Sequence, residues 1–123
     1  MEQYQTTVTT SIPNAYAQAV VGAGGTASCQ VGPAGVGTVW YPVSAAIATT
    51  SGAADGSTCT LYFGPLGLLS LVIGQSYAGG GDSLGLGVPA MSPGYFIVAI
   101  WTGAKAGDVA TLNVIGTQDV LSP

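Results

Sequence analysis

The chain has 123 residues, is 48% hydrophobic, and carries one basic and five acidic side chains, for a net charge of −4. An ordinary soluble domain is roughly 25% charged, whereas this chain is 5% charged. Without histidine or arginine it lacks the usual proton shuttle, most zinc sites and the bidentate phosphate clamp. The only cation, Lys105, cannot neutralise a nucleic-acid backbone. We therefore predict one non-enzymatic domain with no catalytic, metal or cofactor-binding residue and no nucleic-acid or membrane partner.

The N-terminal segment 1–11 is polar and Thr-rich, and we interpret it as a flexible arm that becomes ordered only against a neighbour. Its first residues have neither a basic region nor an apolar one, so no signal peptide is predicted. The most apolar stretch, 66–73, is far shorter than the roughly 20 residues of a membrane span. Its periodicity fits a helical turn or a buried strand equally well.

Short β-branched runs between glycines and prolines predict an all-β fold. The strand candidates are 17–21, 26–31, 38–50, 57–63, 83–88, 95–101 and 109–115. With no helical crossover, a parallel sheet is disfavoured. We expect a single β-sandwich of about seven or eight antiparallel strands over 12–118, with jelly-roll or Greek-key connections. Residues 119–123 are left as a short C-terminal tail.

The long candidate 38–50 contains Pro42, which cannot donate a ladder hydrogen bond. That proline predicts an edge position or a β-bulge. Strict alternation along this candidate places five side chains on one face of the sheet: Val39, Tyr41, Val43, Ala45 and Ile47.

The two cysteines, Cys29 and Cys59, both fall on inward-facing positions. Buried free thiols acting as small hydrophobic side chains are the favoured interpretation. A disulfide between two strands is the alternative, and two thiolates without a histidine are a poor metal site.

Several motifs invite an enzymatic or binding role. Ser76, in the segment 74–79, resembles the nucleophile of serine carboxypeptidases, but no histidine is present to activate it and Lys105 has no reason to replace one. The glycine-rich segments 22–25 and 32–37 precede no helix, so we interpret them as turns rather than phosphate loops. The segment 79–82, Gly-Gly-Gly-Asp, is expected to face outward.

The loop acids and the aromatic residues leave two alternatives open. Three aspartates, Asp55, Asp82 and Asp108, bind calcium if they converge, although turn aspartates usually cap their own backbone. Aromatic side chains on strands are more often core or subunit contacts than a sugar-stacking platform. The candidates for such a platform are Trp40, Tyr41, Tyr62, Tyr77 and Trp101.

A surface with this few charges tends to associate, and charge depletion is typical of interface cores. We therefore predict a closed, cyclic homo-oligomer, with a trimer plausible, because free strand edges otherwise favour open-ended stacking.

The stretch 17–118 also resembles the small Gly/Ala/Thr-rich virion proteins of tailed actinobacterial phages. The resemblance lies in 31–42 (VGPAGVGTVWYP), 74–83 (GQSYAGGGDS) and 101–111 (WTGAKAGDVAT). It implies a virion structural protein assembled in the host cytoplasm, of the capsid decoration or minor capsid type, that docks on the major capsid or another virion protein. The arm 1–11 is then the expected tether. The alternatives are a small tail component and a carbohydrate-binding module for cell-surface glycans.

Overall fold

In a computed structural model, the chain is described over residues 6–13, 15–33, 35–52, 56–65, 71–88 and 90–122. These residues form nine β-strands and no helix, so no membrane-spanning helix occurs within them. The strands are β1 (Thr6–Ser11), β2 (Tyr16–Val20), β3 (Ala27–Val31), β4 (Thr38–Thr49), β5 (Thr58–Pro65), β6 (Leu71–Ser76), β7 (Gly81–Gly85), β8 (Tyr95–Thr102) and β9 (Val109–Ser122).

Two antiparallel sheets pack face to face, which confirms the predicted β-sandwich. The first sheet has the order β1-β9-β4-β7, with β2 also paired to β9, and the second has the order β3-β8-β5-β6. From β2 onward the chain changes sheet at every connection except the β5–β6 hairpin. If β1 and β2 count as one interrupted edge strand, this is the eight-position connectivity of a jelly roll.

The core lies between the sheets and is built from side chains that alternate inward along each strand. Strand β3 shows the pattern most simply, since Ala27, Cys29 and Val31 are buried while the residues between them are exposed. The half-buried Leu84, Leu86 and Val88 pack against the same core, although β7 ends at Gly85. The uncertain stretch 66–73 contains the start of β6, and residues 66–70 lie outside the described part of the chain.

Both predicted termini of the domain need correction. Within the predicted arm, residues 6–11 form β1, which pairs with β9 of the same chain from Thr6–Ser122 to Ser11–Thr117. The predicted tail is likewise part of β9, which continues to Ser122. Polar threonines pack poorly in a core but are favoured in strands, so a Thr-rich segment extends a sheet without a hydrophobic pattern to reveal it.

The predicted face of β4 is wrong for three of its five residues. A register shift between Pro42 and Ser44 leaves Val43 as an extra residue, which is the bulge that the proline predicted. The strand lies between β9 and β7 and is not at an edge. An extra residue reverses the alternation, so Trp40 is buried before the bulge and Ala45 after it, while Tyr41 and Val43 are exposed.

The bulge belongs to a line of irregularities that crosses the first sheet. Gly116 of β9 lies opposite Pro42, and on its other side Pro13 interrupts the edge between β1 and β2. A Cβ on Gly116 would overlap the Tyr41 carbonyl oxygen and the Pro42 Cα. Only glycine allows the two backbones to approach this closely.

Candidate functional site

The serine of the carboxypeptidase-like segment has a structural role. Ser76 is buried at 4% exposure. Its hydroxyl donates to the Asp82 carboxylate and accepts from the Ala78 N–H at 3.1 Å. The donated hydrogen bond lowers the pKa of Asp82. The pair thus closes the β6–β7 connection, and the lowered pKa makes the Asp82 carboxylate a poor base for activating the hydroxyl.

The glycine loop next to it is half buried, which corrects the expectation that it faces outward for Gly79 and Gly80. Gly79 donates to the Ser57 carbonyl at 2.8 Å, and the Gly80 carbonyl accepts from Thr49 at 3.1 Å. Gly81 and Asp82 remain exposed. Gly79 is needed because a Cβ there would collide with Ser57, whereas a Cβ on Gly81 meets no atom within 4 Å.

The two candidate calcium ligands that the structure describes, Asp82 and Asp108, both accept hydrogen bonds from the protein itself. Asp55 lies outside the described residues. Asp82 accepts from Ser76 and from its neighbour Ser83, while Asp108 accepts from the Ser51 N–H at 3.0 Å. In the described part of the chain, no three acidic, histidine or cysteine side chains converge on a point. The two described aspartates therefore serve as local caps for backbone and hydroxyl groups.

The two tryptophans of the proposed sugar platform lie in the core. Trp40 is 5% exposed and Trp101 is fully buried, with its indole Nε1 donating to the Gly79 carbonyl at 2.9 Å. Tyr41 is exposed on the first sheet, the half-buried Tyr62 lies on the second, and Tyr77 follows β6. The five aromatics therefore form no common stacking surface.

The cysteines are buried and free. Cys29 lies opposite Ala99 and Cys59 opposite Trp101, so strand β8 separates them. Two strand spacings place their Cα atoms at least about 10 Å apart, beyond the roughly 7 Å that a disulfide tolerates. Cys29 instead donates weakly to the Ala110 carbonyl across the core, at 3.6 Å. The favoured interpretation is confirmed, and the disulfide alternative is wrong.

The buried thiols predict alkaline destabilisation. Burial raises the pKa of Cys29 from 9.0 to about 11 and that of Cys59 from 9.0 to about 12. At pH values between 9 and these raised pKa values, the unfolded chain loses thiol protons that the folded chain keeps. The free energy of unfolding therefore falls as pH rises from about 9 to 12. Urea titrations at pH 7, 9 and 10 test this. The double variant Cys29→Ala/Cys59→Ala should show a shallower fall, and an unchanged slope would contradict the assignment.

The outer face of the first sheet is the most unusual surface of the molecule. Alternation turns Tyr16, Val20, Tyr41, Ile115 and Leu121 outward, together with the bulge residue Val43. Their exposed fractions run from 41% for Tyr41 to 67% for Val20. Asp119 is the one charged side chain among the described residues that this face presents. A face with large apolar groups and almost no charge has the composition of an interface core.

A shallow cavity of about 220 Å³ lies on this outer face, between the start of β4 and the end of β9. Its floor carries the Asp119 carboxylate, which accepts from the Thr9 hydroxyl of β1 at 2.5 Å. The Tyr41 hydroxyl also bonds Asp119, which raises the pKa of that tyrosine. The remaining lining residues are Gly37, Val39 and Leu121. Three strands are therefore tied together around one carboxylate at this end of the sheet.

The outer face of the second sheet is different. Its rows pair polar with apolar side chains, as in Ser28–Ile100–Thr60 and Gln30–Val98–Tyr62. Val98 is nearly buried although it points outward. Among the described strand residues, Val72 is the exposed large apolar side chain on this face, at 52%. The apolar, exposed surface is thus concentrated on the first sheet.

Sequence reasoning missed this outer face for two reasons. The bulge reversed the apparent side of Tyr41 and Val43, and Leu121 was assigned to a tail. The proline at 42 was the available signal, because a bulge there reverses every preceding position.

No protein-family model, no curated protein and no solved structure matches the chain.

Proposed function

We propose that this chain is a non-enzymatic structural protein of a tailed-phage particle, a capsid decoration or minor capsid protein that acts as a homo-oligomer. The observation that carries the proposal is the outer face of the first sheet, which among the described residues presents exposed tyrosine and aliphatic side chains and one carboxylate, Asp119. Apolar groups exposed at this density favour burial against protein. The resemblance in sequence suggests a virion as the place where that burial occurs.

The jelly-roll connectivity is compatible with the proposal but not specific to it, because capsid proteins, lectins and cupins share this architecture. A glycan-binding module is the less favoured function, since Trp40 and Trp101 are core residues. The apolar outer face of the first sheet is as compatible with a role as a small tail component as it is with a role as a decoration protein. Position in the particle therefore needs a separate measurement.

The assembly step is tested with one aspartate on each sheet. Ile115, 57% exposed on the first sheet, and Val72, 52% exposed on the second, are matched aliphatic positions. Ile115→Asp places a charge beside the apolar groups of the outer face, so we expect the dissociation constant of the oligomer to rise at least about tenfold, or 1.4 kcal/mol. Val72→Asp should leave it unchanged. Sedimentation velocity across a concentration series measures both.

Wild-type protein that remains monomeric at high concentration would refute the assembly proposal. Equal effects of Ile115→Asp and Val72→Asp would assign assembly to another surface. Quantitative mass spectrometry of purified particles then tests the location. A high copy number indicates the capsid lattice or tail tube, a low one indicates a vertex or tail tip, and absence from the particle contradicts a virion role.

A further inference from the structure

The first strand is held to the molecule in an unusual way. β1 makes its substantial contacts with β9 alone. Its described side chains, Val8, Thr9, Thr10 and Ser11, are all exposed, with Val8 at 49%. Besides the backbone ladder, the side-chain bonds from Thr9 to Asp119 and from Gln118 to Thr10 hold it. β1 therefore contributes almost nothing to the core.

Strand β1 pairs with a single strand, β9, and a second copy of the chain presents an identical β9. Every bond that β1 forms within its own chain is reproduced when it pairs with β9 of a neighbour. The exchange then costs only the loss of freedom on association, and in a closed ring each copy gives one strand and receives one.

The connection between β1 and β2, which contains Pro13, lies where an exchange of β1 requires a hinge. Ile12 donates to the Gly116 carbonyl at 3.1 Å, and the Ala15 carbonyl accepts from Val114 at 2.8 Å. Pro13 lies between these two anchors and has no N–H to lose. Ser11 and Tyr16 are five residues apart along the chain, whereas residues 117 and 113 of β9, with which they pair, are four apart. The connection between β1 and β2 therefore has one extra residue. Short hinges with little slack favour exchange between copies.

β2 behaves differently, although it pairs with the same strand. Ala17 and Ala19 pack against the core, and β2 also contacts β3 of the second sheet. Removing β2 would open the core, whereas removing β1 together with Ile12 would free a sheet edge and a single half-buried side chain that packs against the core. The boundary between a fixed and an exchangeable segment therefore falls at Pro13.

We infer that β1 is an exchangeable strand, and that in the assembled state it pairs with residues 117–122 of β9 in a second copy of the chain. The inference rests on the proposed self-association and names the segment that joins the copies.

The test is a disulfide placed across the β1–β9 pair in the full-length protein. Thr10 and Gln118 are direct register partners whose side chains are bonded at 3.4 Å, and such partners lie within the Cα range of a disulfide, about 4.4–6.8 Å. The variant Thr10→Cys/Gln118→Cys is oxidised at a concentration where the oligomer is intact and run on a non-reducing gel. Exchange predicts covalent multimers up to the ring size.

A matched control uses the strand that should stay in its own chain. Gln18 and Thr111 are register partners on β2 and β9, so Gln18→Cys/Thr111→Cys should give crosslinked monomers in the same oligomer. Crosslinked monomers from the Thr10/Gln118 pair in an intact oligomer would overturn the exchange but leave the proposed function in place. A wild-type chain that never associates would overturn both. The native cysteines are buried and do not compete.

Discussion

Replacing Trp101 by alanine is expected to lower the free energy of unfolding by about 3–5 kcal/mol. The indole is fully buried on β8, between Ala27 of β3 and Cys59 of β5. Truncation leaves a cavity in the centre of the second sheet's inner face. It also leaves the Gly79 carbonyl without its indole donor. Because a buried carbonyl that loses its partner costs about 1–3 kcal/mol, we expect a loss at the upper end of the range for a truncated tryptophan.

Chemical denaturation followed by circular dichroism measures this loss. The control is Tyr77→Ala, because Tyr77 is also aromatic but is 79% exposed, and substitutions at such positions stay within about 0.5 kcal/mol. Trp101→Phe should fall between the two, since it keeps most of the buried area and removes only the hydrogen bond. A Trp101→Ala variant as stable as Tyr77→Ala would show that the indole is not part of the core.

The second large effect is expected at the bend of the first sheet. Gly116→Ala should destabilise the fold by about 1–3 kcal/mol, the usual cost of overpacking. The added methyl group meets the Tyr41 carbonyl oxygen and the Pro42 Cα. These are backbone atoms of the bulge and cannot rotate away as a side chain can. We therefore expect a value at the upper end of the range, with the bulge shifted away from β9.

A glycine of the same sheet provides the comparison. Gly85 on β7 pairs with Ser44 of β4, and a Cβ there has no atom within 4 Å. Gly85→Ala should therefore be neutral or stabilise by up to about 1 kcal/mol, because alanine restricts the unfolded chain. The two variants are measured by thermal and urea unfolding. Equal stabilities would mean that the close approach at Gly116 is not a constraint.

The fold follows from local patterns to a large extent. Short β-branched and apolar runs bounded by turn residues located β3 and β8 within one residue, from the candidates 26–31 and 95–101. The seven firm strand candidates and the ambiguous 66–73 together match β2 to β9. The two-sheet sandwich was accessible because turn residues separate segments that each have one apolar face.

The candidate surface depended on long-range register, which no local pattern contains. Tyr41 and Ala45 have the same parity in sequence and lie on opposite faces in the sheet, because the bulge at Val43 is inserted between them. The placement of β1 required β9 to extend past the core as far as Ser122.

Composition and local alternation predicted a charge-poor β-protein with buried thiols and turn glycines, because burial and backbone preferences act residue by residue, while self-association stays a prediction. Pairing between Thr6–Ser11 and the end of β9, over a hundred positions apart along the chain, depends on the assembled sheet. Which tyrosines reach solvent was settled by that pairing, and the proposal that β1 is exchangeable rests on it. Both are properties of where the strands meet rather than of the residues that form them.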